Sequence, residues 1–503
     1  MENYNAVIDI GSNSVRLVIY YEDVHGVIYE VDQLKSVVRL SSYLDSYKHI
    51  KEEGIDRTIE VLKQFKQLCD ARGVGKVLGI ATAALRQAAN QQDFLMQIRK
   101  ETGFSIQVLS GEEEAYYGYL AVVNSMKIEN GFSIDIGGGS SEVVRFANRR
   151  LVRSYSFSFG AVTLTQEYIR SENPTKQDLM TLQQFLVNQF STQEWLLGED
   201  VPLIGIGGTA RALGKIHQKL TRYPLLSLHH YEIWKDEIDL VFHQLIKMNG
   251  EKRKSIEGMS RNRGDIIIAG IMVLRALMEK IGTDKLIISN KGLRDGVIQG
   301  KLRDDVIGYG VKKFMNMYQI NEGHSRQVSF LTSQIFDQLK KIHLHPYDFN
   351  EKELLRIASL LHDAGRSINY YEFERHTFYL MVHVLLPGLT HRERIITALV
   401  ASYTGSKKMR SLLNSYASLL TEADIEMVEK LGVILLIARS LDRSESGAVT
   451  GLHLYPKGEV IQFACLGKGK CPLELKLVEE TGKKFRKHFG IPMEFQWINH
   501  TQS

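Results

Sequence analysis

Apolar positions in the first 300 residues follow two rhythms. Short apolar runs bounded by acids, glycine or proline, at residues 6–10, 76–81, 105–109, 132–136 and 202–206, read as buried strands. Between them, at residues 58–71 and 90–101, apolar side chains recur every three or four positions, as on a helix with one buried face. Strands alternating with helices predict an α/β architecture. From about residue 311 the rhythm lengthens into amphipathic helices at 327–342, 351–362 and 422–438. After residue 448, short runs at 458–464, 472–478 and 492–497 predict strands around a basic helix. These shifts divide the chain into lobes at 1–124 and 125–305, a helical domain at 306–447 and a small α+β tail at 448–503.

A length of 503 residues is too great for one core. Hydrophobic residues at 44% and charged residues at 24% exclude disorder and coiled-coil composition. The longest apolar run, residues 431–438, is far shorter than the roughly 20 residues of a membrane span, and Met1-Glu-Asn-Tyr-Asn lacks a basic leader. The expectation is a cytoplasmic chain with no membrane partner. Cys69, Cys465 and Cys471 lack the number and spacing of a disulfide framework or zinc site, so reduced thiols are expected.

The net charge of +5 is unevenly spread. Residues 301–503 carry 27 Lys+Arg against 22 Asp+Glu, whereas residues 1–300 carry 36 of each. The excess is densest around Lys468, Lys470, Lys483, Lys484 and Lys487, which makes this tail a candidate polyanion-binding surface. No helix-turn-helix or zinc module accompanies it, so nothing argues for nucleic acid.

One internal repeat has chemical content. Ala6-Val-Ile-Asp-Ile-Gly-Ser-Asn-Ser is echoed by Phe132-Ser-Ile-Asp-Ile-Gly-Gly-Gly-Ser, with Asp9, Gly11 and Ser14 opposite Asp135, Gly137 and Ser140. Apolar alternation resumes after each turn, predicting two β-hairpins; a dinucleotide unit would open a helix there instead. A third glycine turn, Gly207-Gly-Thr-Ala-Arg211, follows a strand. Glycine turns present unobstructed N–H groups to an anion. Asp9, Asp135 and Glu142 beside them would repel phosphate unless a hard cation such as Mg²⁺ or Mn²⁺ lay between. Three successive acids, Glu112, Glu113 and Glu114, open a helix predicted at 115–123 and are candidates for activating water. Periodicity does not separate the three. Arg86 and Arg211 suit forked contacts with phosphate oxygens.

Five motifs in order, Asp9-Ile-Gly-Ser-Asn-Ser, Ala81-Thr-Ala-Ala-Leu-Arg86, Ser110-Gly-Glu-Glu-Glu-Ala115, Asp135-Ile-Gly-Gly-Gly-Ser-Ser-Glu142 and Gly205-Ile-Gly-Gly-Thr-Ala-Arg211, together with Asn290-Lys-Gly-Leu-Arg-Asp-Gly-Val-Ile, resemble the exopolyphosphatase / guanosine pentaphosphate phosphatase (Ppx/GppA) family. The resemblance implies duplicated ribonuclease H-like lobes of the actin and sugar-kinase superfamily, with terminal phosphoryl groups hydrolysed in the cleft between them. By motif position it implies Glu113 as general base and Asp135, Glu142 and Asp9 as ligands for Mg²⁺ or Mn²⁺. Phosphate contacts would fall to Gly11, Asn13, Ser14, Arg86, Gly138, Gly139, Ser140, Gly208, Thr209 and Arg211. The implied substrate is inorganic polyphosphate, with guanosine pentaphosphate as the alternative. A nucleotide-sensing protein without hydrolysis and a sugar kinase or chaperone-like ATPase are readings from other classes. A homodimer is also implied.

In the helical region, His324, His362-Asp363 and Asp442 form the order H…HD…D, which resembles the HD-type metal phosphohydrolases. An all-α HD-like domain with a second divalent metal at these four residues is therefore expected.

Overall fold

The computed structural model describes residues 3–169, 171, 173–197, 200–260, 263–468 and 471–499. The chain divides into two units, residues 1–306 and 307–503.

In the first unit, β1 (Asn3–Ile10), β2 (Ser14–Glu22), β3 (Ile28–Val37), β4 (Lys76–Ala81) and β5 (Ile106–Val108) form a sheet in the order β3-β2-β1-β4-β5. Both faces of its central strands β1 and β2 are buried, and the strand period decides which core each residue joins. Ala6, Ile8, Ile10, Leu17 and Ile19 pack on the helices Glu52–Ala71 and Gln91–Thr102 through Leu62, Phe65, Phe94 and Ile98. The residues between them, Val7, Val18 and Tyr20, face the helix Leu293–Gln299.

A second sheet repeats this plan. It contains β6 (Gly131–Ile136), β7 (Ser141–Ala147), β8 (Arg150–Phe157), β9 (Leu203–Ile206), β10 (Tyr231–Trp234) and β11 (Lys285–Ile288) in the order β8-β7-β6-β9-β11-β10. In each sheet an antiparallel hairpin carries the repeated motif and the hairpin's first strand pairs in parallel with the next one, β1 with β4 and β6 with β9. One face holds an extensive core, with Phe132, Ile134 and Val143 against the apolar helix Ile267–Ile281.

The expected lobe boundary at residue 124 needs correction. The helix Gly111–Val123, assigned by sequence to the first lobe, packs its Ala115, Leu120 and Val123 against Val144, Phe146, Ile204 and Ile206 of the second sheet. The helix Leu293–Gln299, from the second half, covers the first sheet. The two helices touch where Gly296 lies against the Tyr117 carbonyl so closely that no side chain fits. The halves are thus exchanged through one helix each.

The second unit is built from the helices Glu322–Lys341, Phe349–Leu361, Phe373–His383, His391–Ala401 and Glu422–Leu441, which bury Leu331, Ile335, Ile357, Ile395 and Leu431. Its three-stranded sheet, β12 (Val449–Lys457), β13 (Val460–Gly467) and β14 (Met493–Asn499), has β13 central. Gln334 and Gln338 tie it to a helix by accepting from Leu452 N–H (2.9 Å) and Leu454 N–H (2.8 Å). The strand expected at 472–478 is instead the start of the helix Pro472–Phe489. Proline at its first position fits helical φ, Val478, Thr481, Phe485 and Phe489 bury one face, and Gly490 at φ 77° ends it. Seven residues of mixed polarity were too few to distinguish the two periods.

Candidate active site

The repeated turns close identically. Gly11 N–H donates to Ser14 O at 3.1 Å and Gly137 N–H to Ser140 O at 2.9 Å. Directly across each hairpin, Asp9 faces Arg16 and Asp135 faces Glu142. The third glycine segment is the first turn of a helix, Gly207–Leu220, rather than a loop, so its free N–H groups point from a helix N-terminus. Gly207 has φ 79°. A Cβ there would run into Asp135 Oδ1.

These elements and residues 290–295 line one cleft within the first unit. Of the residues named from the sequence, Asp9, Gly11, Asn13, Ser14, Asp135, Gly138, Ser140, Gly208 and Arg211 all line it. Five do not. Gly139 turns toward Ser12, Ala83 and Thr163, and Thr209 packs its side chain against Gly270. Glu142 is buried behind the cleft wall, its Oε1 accepting from Ser156 Oγ at 2.8 Å.

Arg86 and Glu113 are the remaining two. Glu113 is the third residue of its helix and is consumed by the capping box: Ser110 N–H donates to Glu113 Oε2 at 2.8 Å and Glu113 N–H to Ser110 Oγ at 3.1 Å. It does not face the cleft. The neighbouring Glu114 does, with 13% of its side chain exposed. Arg86 stands behind Glu114 rather than on substrate: its Nη1 donates to Glu114 Oε2 at 3.0 Å and to Leu109 O at 2.8 Å.

Burial governs the electrostatics. It pushes the Glu114 carboxyl up to about 7, against the pull of Arg86. Asp9, Asp135 and Glu142 are also raised, chiefly by burial; Arg294 and Arg16 oppose the shift at Asp9, and Arg211 opposes it at Asp135. Arg16 is lowered to about 10 by burial and by the neighbouring Arg294. Four guanidinium groups therefore share the cleft, from Arg16, Arg211, Arg263 and Arg294, and the last lies 3.8 Å from Asp9. Sequence reasoning named only Arg211. Arg16 was legible, because two residues beyond Ser14 on a strand it shares Ser14's face, and its Nε donates to Ser14 Oγ at 3.3 Å. Arg294 belongs to a quoted motif without having been given a role, and Arg263 carries no local signal. Packed guanidinium groups facing buried carboxylates have the chemistry to take a polyanion together with a hard cation.

In the second unit, His324, His362, Asp363 and Asp442 come together. His324 Nδ1 is 2.7 Å from Asp442 Oδ2, and His362 Nε2 is 3.3 Å from Asp363 Oδ1. Lys468 and Lys483 are exposed, Lys484 lies beside Gly405, and Lys487 Nζ donates to Ser406 Oγ at 3.0 Å. Lys470 is outside the described residues. Among the described residues no helix is long and apolar enough to cross a membrane.

Comparison with known proteins agrees with this geometry. The family model of the Ppx/GppA phosphatases matches residues 17–305, and that of Ppx/GppA phosphatase domain III matches residues 308–463. A crystal structure of the Aquifex aeolicus member of the Ppx/GppA family is 30% identical, with a TM-score of 0.54 over 60% of this chain and 97% of that one. An exopolyphosphatase from Cytophaga hutchinsonii, 24% identical, has the same TM-score over 59% of this chain and 97% of its own, a likeness of fold. The exchanged two-lobe α/β unit with its glycine-turn cleft is the actin-like fold of these proteins, and the chain belongs to the Ppx/GppA phosphatase family.

Proposed function

We propose that this phosphatase is an exopolyphosphatase, hydrolysing the terminal phosphoanhydride bond of inorganic polyphosphate. Water attacks the end phosphorus, the bond to the bridging oxygen breaks, the shortened chain departs, and orthophosphate carries away the oxygen of water. The observation that carries the reading is the Glu114 carboxylate, buried, held by Arg86 and facing a cleft of glycine turns and arginines. In this reading Glu114, not Glu113, takes the proton from water. Arg16, Arg211, Arg263 and Arg294 grip the equatorial oxygens together with the N–H groups of the glycine turns.

Asp9 and Asp135, carboxylates that line the cleft, fit Mg²⁺ or Mn²⁺ as hard oxygen donors, whereas Glu142, buried with its Oε1 accepting from Ser156 Oγ, is assigned to the same cation by motif position alone. Such a cation would neutralise charge on the transferring phosphoryl group. A polyanion-binding role is assigned to Lys468, Lys470, Lys483, Lys484 and Lys487 of the second unit, with contacts that weaken as salt rises. The enzyme is read as a cytoplasmic homodimer.

The test is orthophosphate release with Mg²⁺ from long-chain polyphosphate and, separately, from guanosine pentaphosphate. Polyphosphate is expected to be consumed much faster, and Glu114→Gln to lose about 10²–10⁴-fold in kcat. Cleavage of the pentaphosphate alone would make the protein an alarmone phosphatase using the same residues. Cleavage of neither would leave a cleft that binds without hydrolysing.

A further inference from the structure

Three helices of the second unit bring together polar side chains that the phosphatase cleft does not use. Glu429 lies on Glu422–Leu441, His488 in the last turn of Pro472–Phe489, and Ser406 opens the short helix Ser406–Leu413. Gly432, about one turn along from Glu429, is what lets them meet. A Cβ there would run into the Tyr403 ring, so the glycine admits the turn Tyr403-Thr-Gly405 that leads directly into Ser406. Glycine within a helix costs about 1 kcal/mol against alanine, and close approach of the ring is the reason for it here.

The side chains make a chain of three. His488 Nε2 is 3.3 Å from Ser406 Oγ, and its Nδ1 is 3.5 Å from Glu429 Oε2. Lys487 Nζ, which only donates, reaches Ser406 Oγ at 3.0 Å, so Oγ accepts from the ammonium and turns its own proton toward the imidazole. That proton needs a lone pair on Nε2, which leaves the imidazole proton on Nδ1, facing the carboxylate. Burial lowers the His488 pKa, with Lys487 and Lys430 acting alongside and Glu429 against, so the ring is unprotonated at pH 7. Tyr403 Oη also lies 3.4 Å from Nε2, but the tyrosine is 2% exposed, whereas Ser406 is partly open to solvent. Glu429 is 9% exposed, and its Oε1 has no hydrogen-bond partner among the described residues. A carboxylate so buried, with only an imidazole beside it, costs desolvation that its contacts do not return.

We propose that Ser406, His488 and Glu429 form a second reaction centre, one that hydrolyses carboxylic esters bearing a negative charge. Ser406 Oγ attacks the ester carbonyl carbon while its proton passes to His488 Nε2. The bond to the alkoxy oxygen then breaks, and the alcohol leaves with the proton held by His488. Water, giving a proton to the same imidazole, attacks the acyl group on Ser406; the bond to Oγ breaks, Oγ recovers the proton and the acid departs. Glu429 is a positioning residue, which orients the ring and stabilises the charge it takes up. The N–H groups of Ser406, Lys407 and Lys408 precede the first intrahelical bond, from Met409 N–H to Gly405 O, and suit the oxyanion of the tetrahedral adduct. Negative charge on the ester is selected by Lys487 at Ser406 Oγ, Lys484 beside Gly405, and the exposed Lys407 and Lys408.

The test uses the full chain with a biotinylated fluorophosphonate and with two chromogenic esters, ortho-nitrophenyl acetate and the same ester carrying a ring carboxylate. The fluorophosphonate is expected to label Ser406 in the native chain, mapped by peptide mass, and not in the urea-unfolded chain. Nitrophenolate release should run past one equivalent, go faster with the charged ester, and fall as acid protonates His488. Ser406→Ala should abolish the label and lower kcat/KM by about 10²–10⁴-fold, with an unchanged unfolding midpoint. Glu429→Gln should move the pH midpoint of ester hydrolysis to lower pH, because the carboxylate raises the imidazole pKa. An unlabelled native chain, hydrolysis unchanged in Ser406→Ala, or ester consumption that stops once lysines are acylated would each overturn the proposal. If Glu429→Gln does not fold, the wild-type label and Ser406→Ala decide.

Discussion

Gly207 is a position where a single atom separates a working cleft from a blocked one. Its φ of 79° is in the region that side chains avoid, and an added Cβ would occupy the place of Asp135 Oδ1. Gly207→Ala should cost about 1–2 kcal/mol in backbone strain. Because Asp135 must also move, hydrolysis should fall by about 10²-fold or more, the scale on which misplacement of roughly 1 Å acts. Thermal unfolding and orthophosphate release, measured together, check this; full activity in the variant would contradict the placement of Asp135. The glycine itself was legible as part of a phosphate cradle, but its role beside Asp135 was not, since no local pattern reports which distant strand lies against a turn. Glu113 is the opposite case. The signature Ser110-x-x-Glu113 was present in the sequence, and as a capping box it marks Glu113 as engaged with backbone, leaving Glu114 to turn inward.

The same box sets what the helix Gly111–Val123 tolerates. Ser110 satisfies the Glu113 N–H and the Glu113 carboxylate satisfies the Ser110 N–H, so the two side chains share the task of starting the helix. Ser110→Ala should cost about 1 kcal/mol, lowering the midpoint of the first unit by about 2–4 °C. Glu113→Gln should be nearly silent in both stability and phosphate release, because glutamine closes a capping box as glutamate does. A large loss of activity in Glu113→Gln, with the midpoint unchanged, would restore Glu113 as the base. At this scale most of the helices and strands that periodicity named lie within a few residues of their expected bounds, although several helices, Lys176–Ser191 and Ile267–Ile281 among them, were not named. Periodicity failed at residues 472–478, where only the longer face running to Phe489 distinguishes a helix. It was also silent on the exchange of Gly111–Val123 and Leu293–Gln299 between sheets, because an apolar face does not name the partner it will cover.

Across the whole molecule, the repeat of Asp9 and Asp135 foretold two sheets of one plan, and the loss of strand signals after residue 311 foretold a separate helical unit. What composition did not foretell is how the second unit responds to acid. His345 is buried with Nε2 2.9 Å from Phe336 O, and burial lowers its pKa, with Lys340 and Lys430 adding to the effect while the Phe336 carbonyl and Asp337 oppose it. His488 is lowered in the same way, chiefly by burial, with Lys487 and Lys430 acting alongside and Glu429 against. The unfolded chain takes up these protons near pH 6.5, before the folded unit does. More protons on the unfolded state mean that stability declines as pH falls, by up to about 1.4 kcal/mol per pH unit for each proton, until the folded pKa is passed. The carboxylates lowered in this unit, Asp424 and Glu445 among them, contribute stability that is lost only at more acidic pH, below the unfolded carboxylate range, so the histidines dominate between pH 7 and 5. The buried thiols Cys465 and Cys471 report on this unit alone, since Cys69 belongs to the other. Mass-resolved thiol labelling along a urea series should show the Cys465 and Cys471 midpoint moving to lower urea from pH 7 to pH 5. His345→Gln should flatten that slope, whereas a midpoint that holds or rises on acidification would mean that these imidazoles are already charged in the folded unit.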